Sequence, residues 1–222
     1  MCRDSTAALH AGADPAYLCS SASTSTNRAG LDPIPWSSYF EQELYLKSSS
    51  SSLEEIVHHV YITPPIEKGP LFVTHHGAGS SGLSFALFAI EIRKLLPSAG
   101  ILSIDARGHG ETTTRNLSVD SSLSAIKLNL DTLSQDLVMI IQLLQEKLAW
   151  PKLPPLLLIG HSLGGAVVTN VAKLGRLGND VLGYAVLDVV EGSAMDALQS
   201  MQTYLITRPA SFASLAAGIE WQ

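Results

Sequence analysis

The stretch that most constrains this chain is Leu156-Leu157-Leu158-Ile159-Gly160-His161-Ser162-Leu163-Gly164-Gly165-Ala166. Four apolar residues bounded by a glycine suit a strand buried on both faces. Residues 165–174 carry Ala and Val at a density that suits a helix. Between them, Gly160-His161-Ser162-Leu163-Gly164 matches G-x-S-x-G, a turn that lifts a serine hydroxyl clear of the end of a sheet. The chemistry sets the spacing. The serine needs a sharp, strained turn, and a side chain at either glycine would strike the neighbouring strand or helix. Ser162 also lies at the positive end of the following helix, which favours an oxyanion nearby. The plainer reading is a glycine-rich turn with a bystander serine. The apolar strand before it and the helix after it weigh toward a nucleophile.

Composition narrows the rest. With 222 residues, 46% of them hydrophobic and only 15% charged, the chain can form one domain with a substantial core. A net charge of −6 argues against a nucleic-acid partner and supplies no basic patch for a membrane surface. Cys2 and Cys19 form neither a disulfide framework nor a metal-ligand pattern, which fits a reducing compartment. No run is long and apolar enough to span a membrane, and residues 1–30 lack the apolar core of a signal peptide. The expectation is a cytoplasmic or nuclear protein with no cofactor and no metal.

Residues 1–30, rich in Ser, Thr, Ala and Gly without a period, read as a disordered tail. The folded domain is expected over 31–222. Residues 31–40 hold two prolines beside Trp36, Tyr39 and Phe40, an extended segment expected to pack on that domain. Strands are expected over 40–46 and 56–62, joined by a hairpin loop at the serine run 48–52. His58 and His59 fall on the second strand and point to opposite faces, so they cannot easily share one metal. A buried strand over 71–76 leads into a glycine-rich turn. A helix over 84–96 follows, stopped by Pro97, and then a buried strand over 101–105. Residues 113–124 read as a polar loop. A long amphipathic helix is expected over 131–148, with Asp131 as its N-cap. After the serine turn and its helix, residues 184–190 read as a strand buried on both faces, and 195–205 as a helix. Apolar strands alternating with amphipathic helices predict an α/β fold, a mostly parallel sheet with helices on both faces.

In open sheets of this kind, working residues gather at the carboxyl ends of the strands. His76-Gly77-Ala78-Gly79 ends the third strand, Asp105 and His109 follow the fourth, Ser162 the elbow strand, and Asp188 the last. The H-G-x-G turn resembles an esterase oxyanion loop, whose small residues let backbone N–H groups face developing charge. The candidate donors are the N–H groups of Ala78 and Leu163. The alternative is a tight turn before a helix. Asp188 is the best candidate for the acid that orients a catalytic histidine. Asp105 is a rival, but its Asp-x-Arg-Gly-His-Gly stretch resembles a loop that α/β-hydrolases use structurally at this point. Asp196 is a weaker rival. α/β-hydrolases place their triad in the order serine, acid, histidine, yet no histidine follows Ser162. His161 is expected to point away from the nucleophile. His76 belongs to the turn after the third strand, and His109 to the structural loop. The catalytic histidine is therefore expected to lie outside this chain, and the sheet to lack its last strands.

Several stretches together resemble the protein phosphatase methylesterase family. They are residues 33–40, His76-Gly77-Ala78-Gly79 with Leu83-Ser84-Phe85, residues 105–112, residues 160–166 and residues 188–198. The last, Asp188-Val189-Val190-Glu191-Gly192-Ser193-Ala194-Met195-Asp196-Ala197-Leu198, is far more discriminating than the elbow. The likeness continues through Arg208-Pro209 and Ile219-Glu220-Trp221. Ala78 replaces a family glycine but leaves a backbone N–H. The resemblance implies a serine esterase that removes the methyl ester from the C-terminal leucine of the protein phosphatase 2A catalytic subunit. It assigns the nucleophile to Ser162 and the acid to Asp188. It puts the histidine in a C-terminal portion without a counterpart here. The other readings are a generic α/β-hydrolase acting on small esters or lipids, and a phosphatase-binding chain without catalysis.

Overall fold

The computed structural model describes residues 34–51, 54–116 and 127–188, with isolated positions between 206 and 221. All belong to the unit Ile34–Gln222. The tail over 1–30, the helix expected over 195–205 and residues 117–124 of the expected loop lie outside the described residues.

In chain order the elements are β1 (Gln42–Ser51), β2 (Glu54–Thr63), β3 (Leu71–His75), α1 (Ala86–Leu95), β4 (Gly100–Ile104), β5 (Thr113–Asn116), α2 (Leu130–Lys147), β6 (Leu156–His161), α3 (Leu163–Leu174) and β7 (Val181–Leu187). Short 3-10 turns stand at Trp36–Ser38, Gly82–Phe85 and Gly178–Asp180. The strands form one sheet in the order β1-β2-β4-β3-β6-β7, with β5 paired to β2. β4, β3, β6 and β7 run parallel to one another, while β1, β2 and β5 join antiparallel. Parallel neighbours need crossovers, and α1 and α3 supply them for β3–β4 and β6–β7. All the sequence motifs therefore end on the parallel half.

Alternation along the strands sorts side chains to two faces. Val60, Ile62, Val73, Leu102, Ile104 and Leu158 pack with Leu133, Leu137, Ile140 and Leu144 of α2 and Val167, Val168 and Val171 of α3. On the other face Tyr61 and Ile101, with Phe72, meet Ala86, Ala89 and Phe88 of the α1 segment and Phe40. Phe40 stacks on Tyr61 at 5.3 Å between ring centroids. The aromatic segment before β1 thus packs as its composition predicts. Each large apolar side chain so buried contributes roughly 1.5–3 kcal/mol. Helices cover both faces, as expected.

Four expectations change. The serine run is not a loop: β1 continues to Ser51, with an irregularity between Ser49 and Ser51. Its hydrogen-bonding partner, β2, outweighs the weak intrinsic preference of serine. Thr113–Asn116 is a strand, because β2 extends beyond β4 and offers Glu54–Val57 as an open edge. The cap of α2 is Asn129, whose Oδ1 accepts the Thr132 N–H at 2.9 Å; Asp131 lies in the first turn. Finally, β7 is Val181–Leu187 and is not buried on both faces: Leu182 is 65% exposed and Tyr184 52%. Among the described residues β7 is the sheet edge. An apolar run looks alike in central and edge strands, and only the neighbours decide its burial.

Candidate active site

Ser162 stands between the end of β6 and the start of α3 at φ +51°, ψ −116°. A non-glycine residue there costs about 1–3 kcal/mol and persists only where its surroundings enforce it. The surroundings do so. Ser162 N–H donates to Leu187 O at 2.9 Å, and Ser162 O accepts the Gly165 N–H at 2.8 Å. The two motif glycines are required by contact. A Cβ on Gly160 would stand 2.2 Å from Gly164 O, and one on Gly164 would stand 2.1 Å from His75 O. These close approaches lock β6, α3 and β3 together around the serine. Leu163 is the first residue of α3, so its N–H has no acceptor within the helix.

The H-G-x-G turn meets the elbow directly. A Cβ on Gly77 would lie 3.2 Å from Ser162 Cβ and 2.9 Å from His161 Nδ1. Ala78 and Gly79, the latter at φ +73°, follow at the exposed tip of the turn. Two imidazoles stitch this turn to the loop after β4. His76 Nε2 accepts the Ala106 N–H at 3.0 Å, and its Nδ1–H donates to Gly77 O at 2.7 Å. His109 Nε2 accepts the Gly79 N–H at 3.0 Å, and its Nδ1–H donates to Arg107 O at 3.0 Å. A backbone N–H can only donate and a carbonyl can only accept, so both rings are neutral and carry the proton on Nδ1. Burial is the main cause that pushes His76 below the ordinary histidine value. With both nitrogens of each ring engaged, neither ring is free to take a proton from Ser162. His75 is also buried, and desolvation holds it down at about 4.

The two candidate acids differ sharply. Asp188 follows β7 at φ +52°, beside Ser162, because His161 and Leu187 are in register across β6 and β7. Its side chain is 76% exposed, and its Oδ2 is 3.8 Å from His161 Nε2. His161 therefore leans between the Gly77 turn and Asp188. Among the described residues Ser162 Oγ has no hydrogen-bond partner. Asp105 is buried and saturated. It accepts from His59 Nδ1 at 2.7 Å, Gly82 N–H at 2.7 Å and Glu111 N–H at 2.9 Å. Burial works against its charge, but these bonds outweigh burial and hold the carboxyl below its ordinary value. Asp105 is thus bound into the scaffold. Asp196 lies outside the described residues.

His58 and His59 point to opposite faces, as their spacing predicts. His58 pairs with Ser48 Oγ at 3.1 Å, and desolvation lowers its pKa. His59 bridges two carboxylates, Asp105 and Glu43, at 2.7 and 2.8 Å. Burial opposes its charge, yet the two hydrogen-bonded acids win and raise its pKa. Glu43, His59 and Glu111 are close enough in ligand atoms, within 4.8 Å, to hold a cation. Both ring nitrogens of His59 are already engaged by Asp105 and Glu43, and the Glu111 carboxylate accepts the Tyr45 hydroxyl. Arg107, buried, clamps Asp136 of α2 through two bonds of 2.8 Å and reaches Glu54 at 3.0 Å. The sequence does not reveal that His109 grips the glycine turn. The one available signal was a second histidine at a neighbouring strand end.

A curated relative from Neurospora crassa, a protein phosphatase methylesterase 1, is 57% identical over 211 residues. The match covers 86% of this chain and 46% of that protein. The Aspergillus fumigatus protein of the same name is 60% identical over 188 residues, covering 85% of this chain and 44% of its own. That of Bos taurus is 38% identical over 191 residues, covering 86% and 46%. The chain thus spans less than half the length of these relatives. Among solved structures, a marine microorganism esterase superposes with a TM-score of 0.53 at 20% identity, over 73% of this chain and 56% of that one. At that identity the likeness concerns the fold alone. The alpha/beta hydrolase family model matches residues 71–221, from β3 through the elbow and beyond, and the chain belongs to that family.

Proposed function

We propose that Ser162 is the nucleophile of a carboxylic ester hydrolase, and that its substrate is the methyl ester on the C-terminal leucine of the protein phosphatase 2A catalytic subunit, met in the cytoplasm or nucleus. The observation that carries the reading is the strained serine at φ +51°, with the Gly77 turn against it and Asp188 across from it. Ser162 Oγ adds to the ester carbonyl, and the Ala78 and Leu163 N–H groups receive the oxyanion. Methanol leaves with the serine proton, relayed by a histidine that Asp188 orients. Water then cleaves the acyl-enzyme to give free leucine carboxylate. On this reading the histidine comes from the portion of the relatives that this chain does not span. The similarity to proteins named phosphatase methylesterases supports the choice of ester.

The test, in a completed chain that supplies the histidine, is methanol release from methyl-esterified phosphatase, set beside hydrolysis of p-nitrophenyl acetate and a direct binding assay. The proposal expects the protein ester to be favored at least tenfold in kcat/KM. Equal or better turnover of the small ester would point to a generic esterase. Binding of the phosphatase without methanol release would point to a non-catalytic role.

A further inference from the structure

The elbow is held by its own strain and glycines, but the glycine turn that faces it is held from outside. Its tip, Ala78-Gly79, is exposed, and Gly79 sits in the left-handed region at φ +73°. A Cβ added to Gly79 would meet nothing within 4 Å, so packing does not fix the turn there. The contact that reaches its tip from another element is the Gly79 N–H to His109 Nε2 bond of 3.0 Å. His109 in turn is rigidly placed. Its Nδ1–H is bound to Arg107 O, and the Arg107 side chain is anchored on Asp136 of α2 and Glu54 of β2. The same loop is pinned from its start by Asp105, which binds Glu111 N–H and Gly82 N–H.

We propose that His109 is a positioning residue for the oxyanion turn: its neutral, Nδ1-protonated ring holds Gly79 so that the neighbouring Ala78 N–H faces the reacting carbonyl. Among the described residues the ring of His109 bonds Gly79 and Arg107 and not Ser162. The inference rests on the reading of Ser162 as nucleophile and deepens it. A ring protonated on Nε2 loses the acceptor lone pair, and two N–H groups would then confront each other at Gly79. The role therefore depends on tautomer as well as on residue type. The titratable groups around this ring are His76, at 5.1 Å between centroids, and His75, while Asp105 abuts the adjoining Gly110. His161 faces His76 from the elbow side. Glutamine can present an acceptor oxygen near the place of Nε2 and cannot take up a proton.

The test combines nitrogen-15 NMR of the histidine rings with stopped-time labelling of Ser162 by a fluorophosphonate, in a completed chain that supplies the catalytic histidine. The expected tautomer of His109 is Nδ1–H, the minor form of free histidine. Amide exchange at Gly79 should rise at least tenfold in His109→Ala and stay near the parent rate in His109→Gln. The maximal rate of Ser162 labelling should fall about 10- to 100-fold in His109→Ala, a part of the loss expected for removing an oxyanion donor outright. His109→Gln should recover most of that rate, and the half-saturating probe concentration should change little in either variant. An Nε2–H ring, or Gly79 exchange that ignores His109→Ala, overturns the proposal. So does labelling unaffected by His109→Ala while Ser162→Ala abolishes it. If Ser162→Ala labels as fast as the parent, the nucleophile assignment itself fails. In that case the ring tautomer and Gly79 exchange still decide whether His109 holds the turn.

Discussion

Two aspartates follow two strands of one sheet, and they live in opposite conditions. Asp105, after β4, is 1% exposed and accepts three hydrogen bonds. Asp188, after β7, has a side chain 76% exposed, with His161 3.8 Å away. On the proposed reading the contrast separates scaffold from working group. A carboxylate whose lone pairs are filled by backbone N–H groups and a buried histidine cannot also orient a mobile imidazole. A largely exposed one beside Ser162 can. Position at a strand end, which the two share, does not decide between them, whereas saturation does.

The sharpest way to break that contrast is to neutralise each acid in turn. In a completed chain that supplies the catalytic histidine, Asp188→Asn is expected to leave the melting temperature nearly unchanged and to cut methylesterase turnover by about 10⁴, as for the analogous triad substitution. Asp105→Asn should act in the opposite sense. It leaves His59 charged and buried with one acid fewer, a loss of roughly 3 kcal/mol of stability, while the activity of the fraction that stays folded falls much less. Paired measurements of kcat and of denaturant midpoint decide. Large turnover loss at Asp105 with none at Asp188 would reverse the assignment.

A smaller effect sharpens the scaffold side. His59 has a raised folded pKa, because its bonds to Asp105 and Glu43 outweigh its burial. Its contribution is therefore complete below the unfolded value of about 6.5 and is lost as pH rises through the folded value. His58, His75 and His76 are shifted the other way, chiefly by burial. Their contribution is complete above about 6.5 and is lost as pH falls. The melting temperature should then peak near pH 6.5. His59→Gln should lower the peak and flatten the alkaline limb while the acid limb persists. An alkaline limb unchanged in His59→Gln would show that the ring is not charged in the folded protein.

Much of this was legible in advance, for physical reasons that also explain the misses. The elbow could be read because a strained serine turn needs glycines at fixed places, and Gly160 and Gly164 prove to be in backbone contact. The strands β3, β4 and β6 announce themselves as short apolar runs because they are covered on both faces. β7 has the same pattern yet lies at the edge, since composition reports what a strand can tolerate and not what covers it. Ser48 and Thr113 were assigned to loops because their strands depend on β2 as a partner, a long-range fact. The reciprocal bonds of His76 and His109 join residues 30 apart, and no local signal foretells them.

The central claim is that the strained residue of the elbow is the nucleophile. The most direct measurement is mass spectrometry of a completed chain, one that supplies the catalytic histidine, after reaction with a fluorophosphonate, with the modified residue identified by peptide fragmentation. The account predicts a phosphonate on Ser162 alone among the serines, absent in Ser162→Ala and strongly slowed in Asp188→Asn. Modification spread over the serines at the parent rate in Ser162→Ala would contradict it.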